Sequence, residues 1–517
     1  MSAIASIFLQ SWLYATATQQ PFITPITGVE QSPPREPQQL LIAAPNNFNP
    51  QRNGGDSPPS PAPTQPVPPV ENTLPSPSPI VTPPVVTPTP PQPEPSPLPQ
   101  LPPTPPSPQP STLPQLPPTS STPVVTPPAN SPPRLTLEAD KIAAQRAWQY
   151  FERNWNAKTG LVNSGDNYAW TTLWDQGSAI LGIHAAYQLG IIPRERFARM
   201  SNQFLQTLET LPLPATGLPN KAYSTATAQM RKLNDTPDPK GTTGWSALDL
   251  ARLLVGLHVL RTHYPEYSDR INRIVSRWDL SRLVKNGELH GGVPGTNGQI
   301  RVVQEGRFGY EQYAAYSLLL WNIKAANSLY NPPVKTIQIY GIPLQVDTRN
   351  LKNSGASNYL TNDPYVLWGL EIGWPDAIKP QVQNLLKVQA QRFQRTGILT
   401  AVNEDSLNRP PYFLYYSVYA EGQPWYAINV RGKAYPQLRF ASTKAAFSWE
   451  ALMPNDAYAK KLRTSFQNLA NPNRGYYSGR YENAKLGINS SIDVNTNGSI
   501  LESLLYKARS GRPLTSL

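Results

Sequence analysis

Six stretches of the chain are apolar on every side rather than along one stripe. They are TTLWDQGSAILGIHAAYQLG (171–190), GWSALDLARLLVGLHVLRTHYP (244–265), GYEQYAAYSLLLWNIKAANSLY (309–330), DPYVLWGLEIGWP (363–375), STKAAFSWEALMP (442–454) and TNGSILESLLYKARSG (496–511). From Trp174 to Trp245, Tyr310, Tyr365, Thr443 and Asn497 the steps are 71, 65, 55, 78 and 54 residues. More amphipathic stretches lie between them, at 137–154, 194–210, 267–284, 376–394 and 455–469. A helix apolar all round is buried on every side, whereas one with a single apolar stripe lies at the surface. Their alternation predicts an all-α fold, an (α/α)6 toroid, in which an inner ring of helices is wrapped by an outer ring and one inner–outer pair is the repeating unit. VKTIQIYGIPLQVDTR (334–349) and PYFLYYSVYAEGQPWYAI (411–428) have strand composition and alternate in part, which predicts hairpins carried on loops. In such a ring the inner helix N-termini gather at one end. Loops there build a concave site, and the helix dipoles favour carboxylates or anionic ligands.

Composition divides the chain near residue 134. Forty of the 61 prolines fall in residues 1–134, mostly as PPS, PTP and PLP runs. Such a segment (31–134) cannot bury a core and is expected to be a disordered, extended spacer. At ~3.1 Å per residue, ~100 residues would reach roughly 300 Å. The toroid is expected over 135–517. There 42 Lys/Arg stand against 28 Asp/Glu. That excess fits an anionic partner such as an acidic glycan or cell-wall polymer, although scattered charge also simply confers solubility. The chain has no cysteine, which excludes disulfides, thiolate metal sites and cysteine nucleophiles. Residues 1–30 open on MSAIASIFLQSWLYATATQQP, a short apolar run with Ala15-Thr16-Ala17 resembling a cleavage site but without a positive n-region. Together with the proline-rich arm, which suits envelope contact, it points to a periplasmic or extracellular protein. No other run is long and apolar enough to span a membrane.

The chemistry is sought among the acids that enter the inner helices. Thr172-x-x-Asp175 and Ser246-x-x-Asp249 fit the capping-box pattern, and Asp363-Pro364 reads as an N-cap followed by a proline. Asp175 stays a catalytic candidate because Trp174 beside it offers a sugar platform. Glu450 and Glu502 lie inside their helices and read as structural acids. Glu311 has no Ser or Thr three residues before it, so no capping rule accounts for it. It reads either as a desolvated general acid or as a dipole-stabilised acid paired with Arg307 or another base. Glu404 and Asp405 fall in an expected loop beside Tyr412, Phe413, Tyr415, Tyr416 and Trp425. Glycoside hydrolysis needs two carboxyls ~5–9.5 Å apart, and the sequence favours Glu311 as proton donor with Glu404 or Asp405 as base. Trp174, Tyr223, Trp245, Tyr310, Tyr365, Tyr415 and Trp425 are the candidate sugar-contacting aromatics. Lys221, Glu305, Arg307 and Arg439 are the candidate polar contacts. The four histidines (184, 258, 263, 290) form no HExxH motif, and no P-loop, dinucleotide fingerprint, GxSxG elbow or basic nucleic-acid stripe is present. No metal or cofactor is therefore expected.

Several strings occur together in one order: TTLWDQGSAILG (171–182), LPNKAYST (218–225), GWSALDLAR (244–252), EGRFGYEQYAA (305–315), DPYVLWGLE (363–371), LTAVNED (399–405), PYFLYYSVY (411–419), STKAAFSW (442–449) and GYYSGRYE (475–482). Over residues 140–510 they resemble a bacterial family designated domain of unknown function 3131, with mild departures at Phe308 and Gln312. The resemblance implies a glucoamylase-like six-fold toroid and a link to envelope or extracellular polysaccharide; it transfers no catalytic residues. Three functions remain open at this level: a glycoside hydrolase, a polysaccharide lyase using Tyr and Arg, and a non-catalytic polysaccharide-binding or assembly protein.

Overall fold

The structure, a computed structural model, describes residues 135–295 and 298–517. The N-terminal apolar run and the expected spacer at 31–134 lie outside the described residues. The six all-round apolar stretches form the inner helices Leu173–Gln188, Ala247–His263, Tyr310–Leu319, Asp363–Glu371, Thr443–Leu452 and Val494–Ala508. Each packs on the next, and the sixth returns to pack on the first, so the ring is closed. Closure depends on small residues where the helices cross. A Cβ on Gly177 would lie 2.8 Å from the Arg252 backbone carbon, and one on Gly498 would lie 2.8 Å from the Ser178 carbonyl oxygen. Any side chain at either position would push neighbouring helices apart.

The amphipathic stretches form the outer helices Glu138–Asn154, Arg194–Thr210, Ser268–Ser276, Lys379–Thr396 and Ala457–Phe466, with the short helix Ala326–Tyr330 at the sixth outer place. The third is shorter than the expected 267–284, because a 3-10 turn at Leu280–Leu283 leads directly into a strand. Both expected hairpins form, as Val334–Ile339 with Ile342–Asp347 and as Phe413–Ala420 with Gln423–Ile428. Glu404–Ser406 adds a third strand to the latter, with Glu404 opposite Tyr415. Glu404 is thus held on a sheet rather than in the expected loop. Further short sheets, including Glu288–Pro294 with Ile300–Gln304, are inserted between the helices. Among the described residues no helix is long and apolar enough to cross a membrane.

The middle of the ring is not purely apolar. Arg252 on the second inner helix is fully buried and reaches Glu371 on the fourth (2.9 Å) and Glu502 on the sixth (3.1 Å). Its Nε–H donates to Ser178 Oγ on the first (3.0 Å), and Tyr313 on the third donates to Glu371 Oε2 (2.6 Å). Burial opposes charge on Arg252, but the facing Glu371 holds the guanidinium ionised. Two carboxylates facing one cation in a dry interior cannot both ionise, so burial and Glu371 push Glu502 well above the usual carboxylate range. Glu502 therefore behaves as the structural acid the sequence suggests. Glu450 does likewise, paired with Lys507 at 2.9 Å.

Because Glu502 already carries a proton, Glu502→Gln is expected to change unfolding free energy by less than about 1 kcal/mol. Arg252→Met, which strands Glu371 without a cation, is expected to cost about 3–5 kcal/mol. Urea unfolding of the two variants checks the contrast.

Candidate active site

A cavity of about 590 Å³ opens where the inner helices begin. Trp174 and Asp175 enter it from the first inner helix, Leu248 and Asp249 from the second, and Tyr310 from the third. Asn495 enters from the sixth. Strand Ile300–Gln304, with Arg301, forms one wall; the segment Ser354–Ser357 with Tyr359, and the sheet residues Glu404, Phe413 and Tyr415, form the other. Glu404 and Tyr415 share a face because they are cross-strand partners. Five acids line the space: Asp175, Asp249, Glu288, Glu305 and Glu404.

Their environments differ. Asp175 is committed to its own helix, as the capping box requires. Its Oδ2 accepts from the Thr172 amide (2.8 Å) and hydroxyl (2.8 Å), and its Oδ1 accepts from Asn495 (2.8 Å). At the second inner helix the box is broken. Ser246 Oγ still accepts from the Asp249 amide (3.0 Å), but the Ala247 amide donates to Glu305 Oε2 (2.6 Å), an acid 58 residues away. Glu305 thus takes the first amide inside the helix, and the Asp249 carboxyl, which bonds the Ser246 hydroxyl but not its amide, lines the cavity. Behind them lies buried Lys221. Burial pushes Glu305 up to about 8, with Lys221 opposing the shift and Asp249 adding to it. Burial also lifts Asp249 to about 7.

Across the cavity, burial pushes Glu404 up to about 8, and the neighbouring Asp363 charge adds to the effect. Asp363 is not the N-cap expected from the sequence. It begins the fourth inner helix, and its Oδ1 accepts from Lys444 (2.9 Å) and Asn403 (3.0 Å). Lys444 lies 3.6 Å from Asp405 as well. Lys444 opposes the shift on Glu404 but does not cancel it. Tyr310, buried beside Glu404, has its phenol pushed well above the usual range by burial and by that carboxyl.

The structure corrects several sequence expectations. Glu311 does not line the cavity: it is buried against Arg349 (2.5 Å), Ser328 (2.6 Å) and Gln304 (3.3 Å), tying the third inner helix to two neighbouring segments. Gln312 does the capping there, accepting from the Gly309 amide (2.6 Å). Gly309 itself adopts φ +102°, and a Cβ there would lie 3.0 Å from the Tyr365 ring, so no ordinary capping residue fits. Asp405 is paired with Lys444 and does not line the cavity. Among the aromatics, Tyr223 donates to the Pro212 carbonyl (2.9 Å), Trp245 donates to the His290 carbonyl (3.1 Å), and Tyr365 is wholly buried. Trp425 packs on Tyr340 and Arg392, and Arg439 pairs with Glu482 at 3.3 Å. The cavity does collect Trp174, Asp175, Glu305, Arg307, Tyr310, Glu404 and Tyr415. Sequence reasoning set Asp249 aside as a cap and missed Arg301, whose strand carries no motif.

A closed double ring of helices with an aromatic, acid-lined cavity at its N-terminal mouth defines an α/α toroid protein. The chain belongs to the family described as protein of unknown function (DUF3131), whose model matches residues 142–510. No curated protein matches the sequence. Among solved structures it is similar to a putative glucoamylase from Bacteroides fragilis, at 14% identity and TM-score 0.51, covering 75% of this chain and 97% of that one. It is also similar to an endo-β-1,2-glucanase from Chitinophaga pinensis in complex with sophorotriose and glucose, at 13% identity and TM-score 0.52, covering 74% and 97%. A third is the Talaromyces funiculosus endo-β-1,2-glucanase with sophorose, at 11% identity and TM-score 0.50, covering 72% and 85%. At such identities the likeness establishes the fold.

A buried acid whose folded-state pKa is raised stabilises fully below its unfolded value, and that contribution is lost as pH rises through the folded value. For Glu404 the window runs from 4.5 to about 8. Glutamine does not titrate, so Glu404→Gln is expected to gain thermal stability relative to the parent between about pH 5 and about pH 9. Melting curves across that range test it; a constant difference would contradict the protonated assignment.

Proposed function

We propose that this protein is a glycan-active enzyme, a glycoside hydrolase that acts on an envelope or extracellular polysaccharide. One observation carries the reading. Glu404 and Asp249 both line one aromatic cavity, both are raised toward neutrality by burial, and neither serves as a helix cap. In the proposed reaction Glu404 donates its proton to the glycosidic oxygen as the bond to the anomeric carbon breaks. A water attacks that carbon, and its proton passes to Asp249. Trp174 and Tyr310 supply the stacking surfaces. Arg252 lies 5.0 Å from the Trp174 ring centroid and holds the indole in place. Two structures sharing the fold are of endo-β-1,2-glucanases, which supports a glycan as substrate. The N-terminal apolar run and the proline-rich arm support action outside the cytoplasm.

Glu404→Gln and Asp249→Asn are each expected to lower turnover by about 10²- to 10⁴-fold. Glu311→Gln is expected instead to lower the melting temperature, because Arg349 and Ser328 lose their partner. Release of reducing ends from a panel of polysaccharides provides the assay. Full activity in Glu404→Gln would sink the assignment, and an ultraviolet-absorbing double bond in the product would replace hydrolysis by elimination. Saturable binding without chain shortening would leave a binding protein. For the parent, kcat/KM is expected to rise with pH through about 7 as Asp249 ionises and to fall through about 8 as Glu404 does.

A further inference from the structure

Three arginines line the cavity, and two of them are occupied by the protein itself. Arg307 spends its terminal nitrogens on Gln304 (2.8 Å), the Gly306 carbonyl (2.6 Å), Ser354 (2.8 Å) and the Ala356 carbonyl (3.3 Å), which builds the loop wall. Arg349 Nη2 bridges Glu311 (2.5 Å) and Asp347 (2.7 Å). Arg301 is different. It makes no ion pair and no side-chain hydrogen bond with any described residue; all three arginines keep one buried nitrogen without a partner, but only the Arg301 guanidinium has none engaged. Its strand offers it nothing: the residue opposite is Val293, and the diagonal neighbours are Gly291 and Gly295. A guanidinium with a desolvated, unused donor costs stability unless something else fills it.

We propose that Arg301 binds an anionic substituent of the glycan, a carboxylate or a phosphate, so that the cavity selects acidic polysaccharide. This rests on the reading of the cavity as a glycan site. The planar guanidinium presents paired N–H donors that match the two oxygens of a carboxylate or phosphate, whereas a sugar hydroxyl uses only one. Arg301 enters the cavity from the strand Ile300–Gln304, a different element from those carrying the proposed cleavage acids Asp249 and Glu404, so it can read a charged substituent without serving as proton donor or acceptor. The excess of 42 Lys/Arg over 28 Asp/Glu in residues 135–517 draws the same class of polymer toward the protein.

The test uses affinity electrophoresis of Glu404→Gln, alone and combined with Arg301→Gln or Arg301→Lys, in gels containing polygalacturonate, a phosphorylated mannan, or neutral β-1,2-glucan. At least one acidic polymer is expected to bind more tightly than the neutral one. Arg301→Gln is expected to weaken that binding about tenfold, with partial recovery in Arg301→Lys. Whichever acidic polymer responds identifies carboxylate or phosphate as the group read. Equal binding of neutral and acidic chains, or no effect of Arg301→Gln, overturns the proposal. Reducing-end release by the parent protein separates the two readings. Glycan cleavage by the parent with no Arg301-dependent preference for an acidic polymer leaves the hydrolase standing without the anion subsite. Arg301-dependent binding without cleavage does the reverse.

Discussion

One cation in the centre of the ring governs how the rest can be arranged. Arg252 belongs to the second inner helix, yet its guanidinium is shared among Ser178, Glu371 and Glu502 on three others. A buried charge must be met by partners in fixed geometry or it costs several kcal/mol. The inner helices are therefore locked in rotation and height as well as in contact. Apolar packing alone would tolerate a helix sliding by a turn, and this network does not. The same guanidinium underlies Trp174, so the floor of the cavity is set by the knot that closes the ring.

Above that floor the chemistry follows from competition for helix ends. Six inner helices deliver their N-termini to one mouth, and each has free amides that attract acids. Where the local acid answers, as Asp175 does through Thr172, the carboxyl is consumed. At the second helix a distant acid, Glu305, takes the Ala247 amide, and Asp249, bonded only to the Ser246 hydroxyl, lines the cavity. On the far side Lys444 draws the charge of Asp363, and the unionised state falls to Glu404, which burial already favours. Burial thereby raises two acids of one cavity toward neutrality, with different neighbours adjusting each.

The division of labour between helices and inserted strands follows the same logic. Helix starts fix Trp174, Asp249 and Tyr310 rigidly at the cavity. The strands Ile300–Gln304 and Phe413–Ala420 form the walls and bring Arg301 and Tyr415 to the cavity, the latter stacked on Tyr359.

The helical repeat was legible in the chain because burial on all sides forces an unbroken apolar composition, and outer helices need only a stripe. Leu173–Gln188 and Arg194–Thr210 show the contrast plainly. The hairpin at 334–347 was legible for a similarly local reason, its alternating residues around Tyr340-Gly341. Which acids line the cavity was not. Glu311 stood out because no neighbour capped with it, but its partner Arg349 lies 38 residues on. Asp249 was set aside because Ser246 fits a capping box, although only the Ser246 half of the box forms and Glu305, 58 residues away, takes the Ala247 amide. Periodicity is a property of adjacent residues, so the sequence determined the ring. A carboxyl's protonation and direction depend on charges brought near it by the whole fold, so only the tertiary structure decided the site.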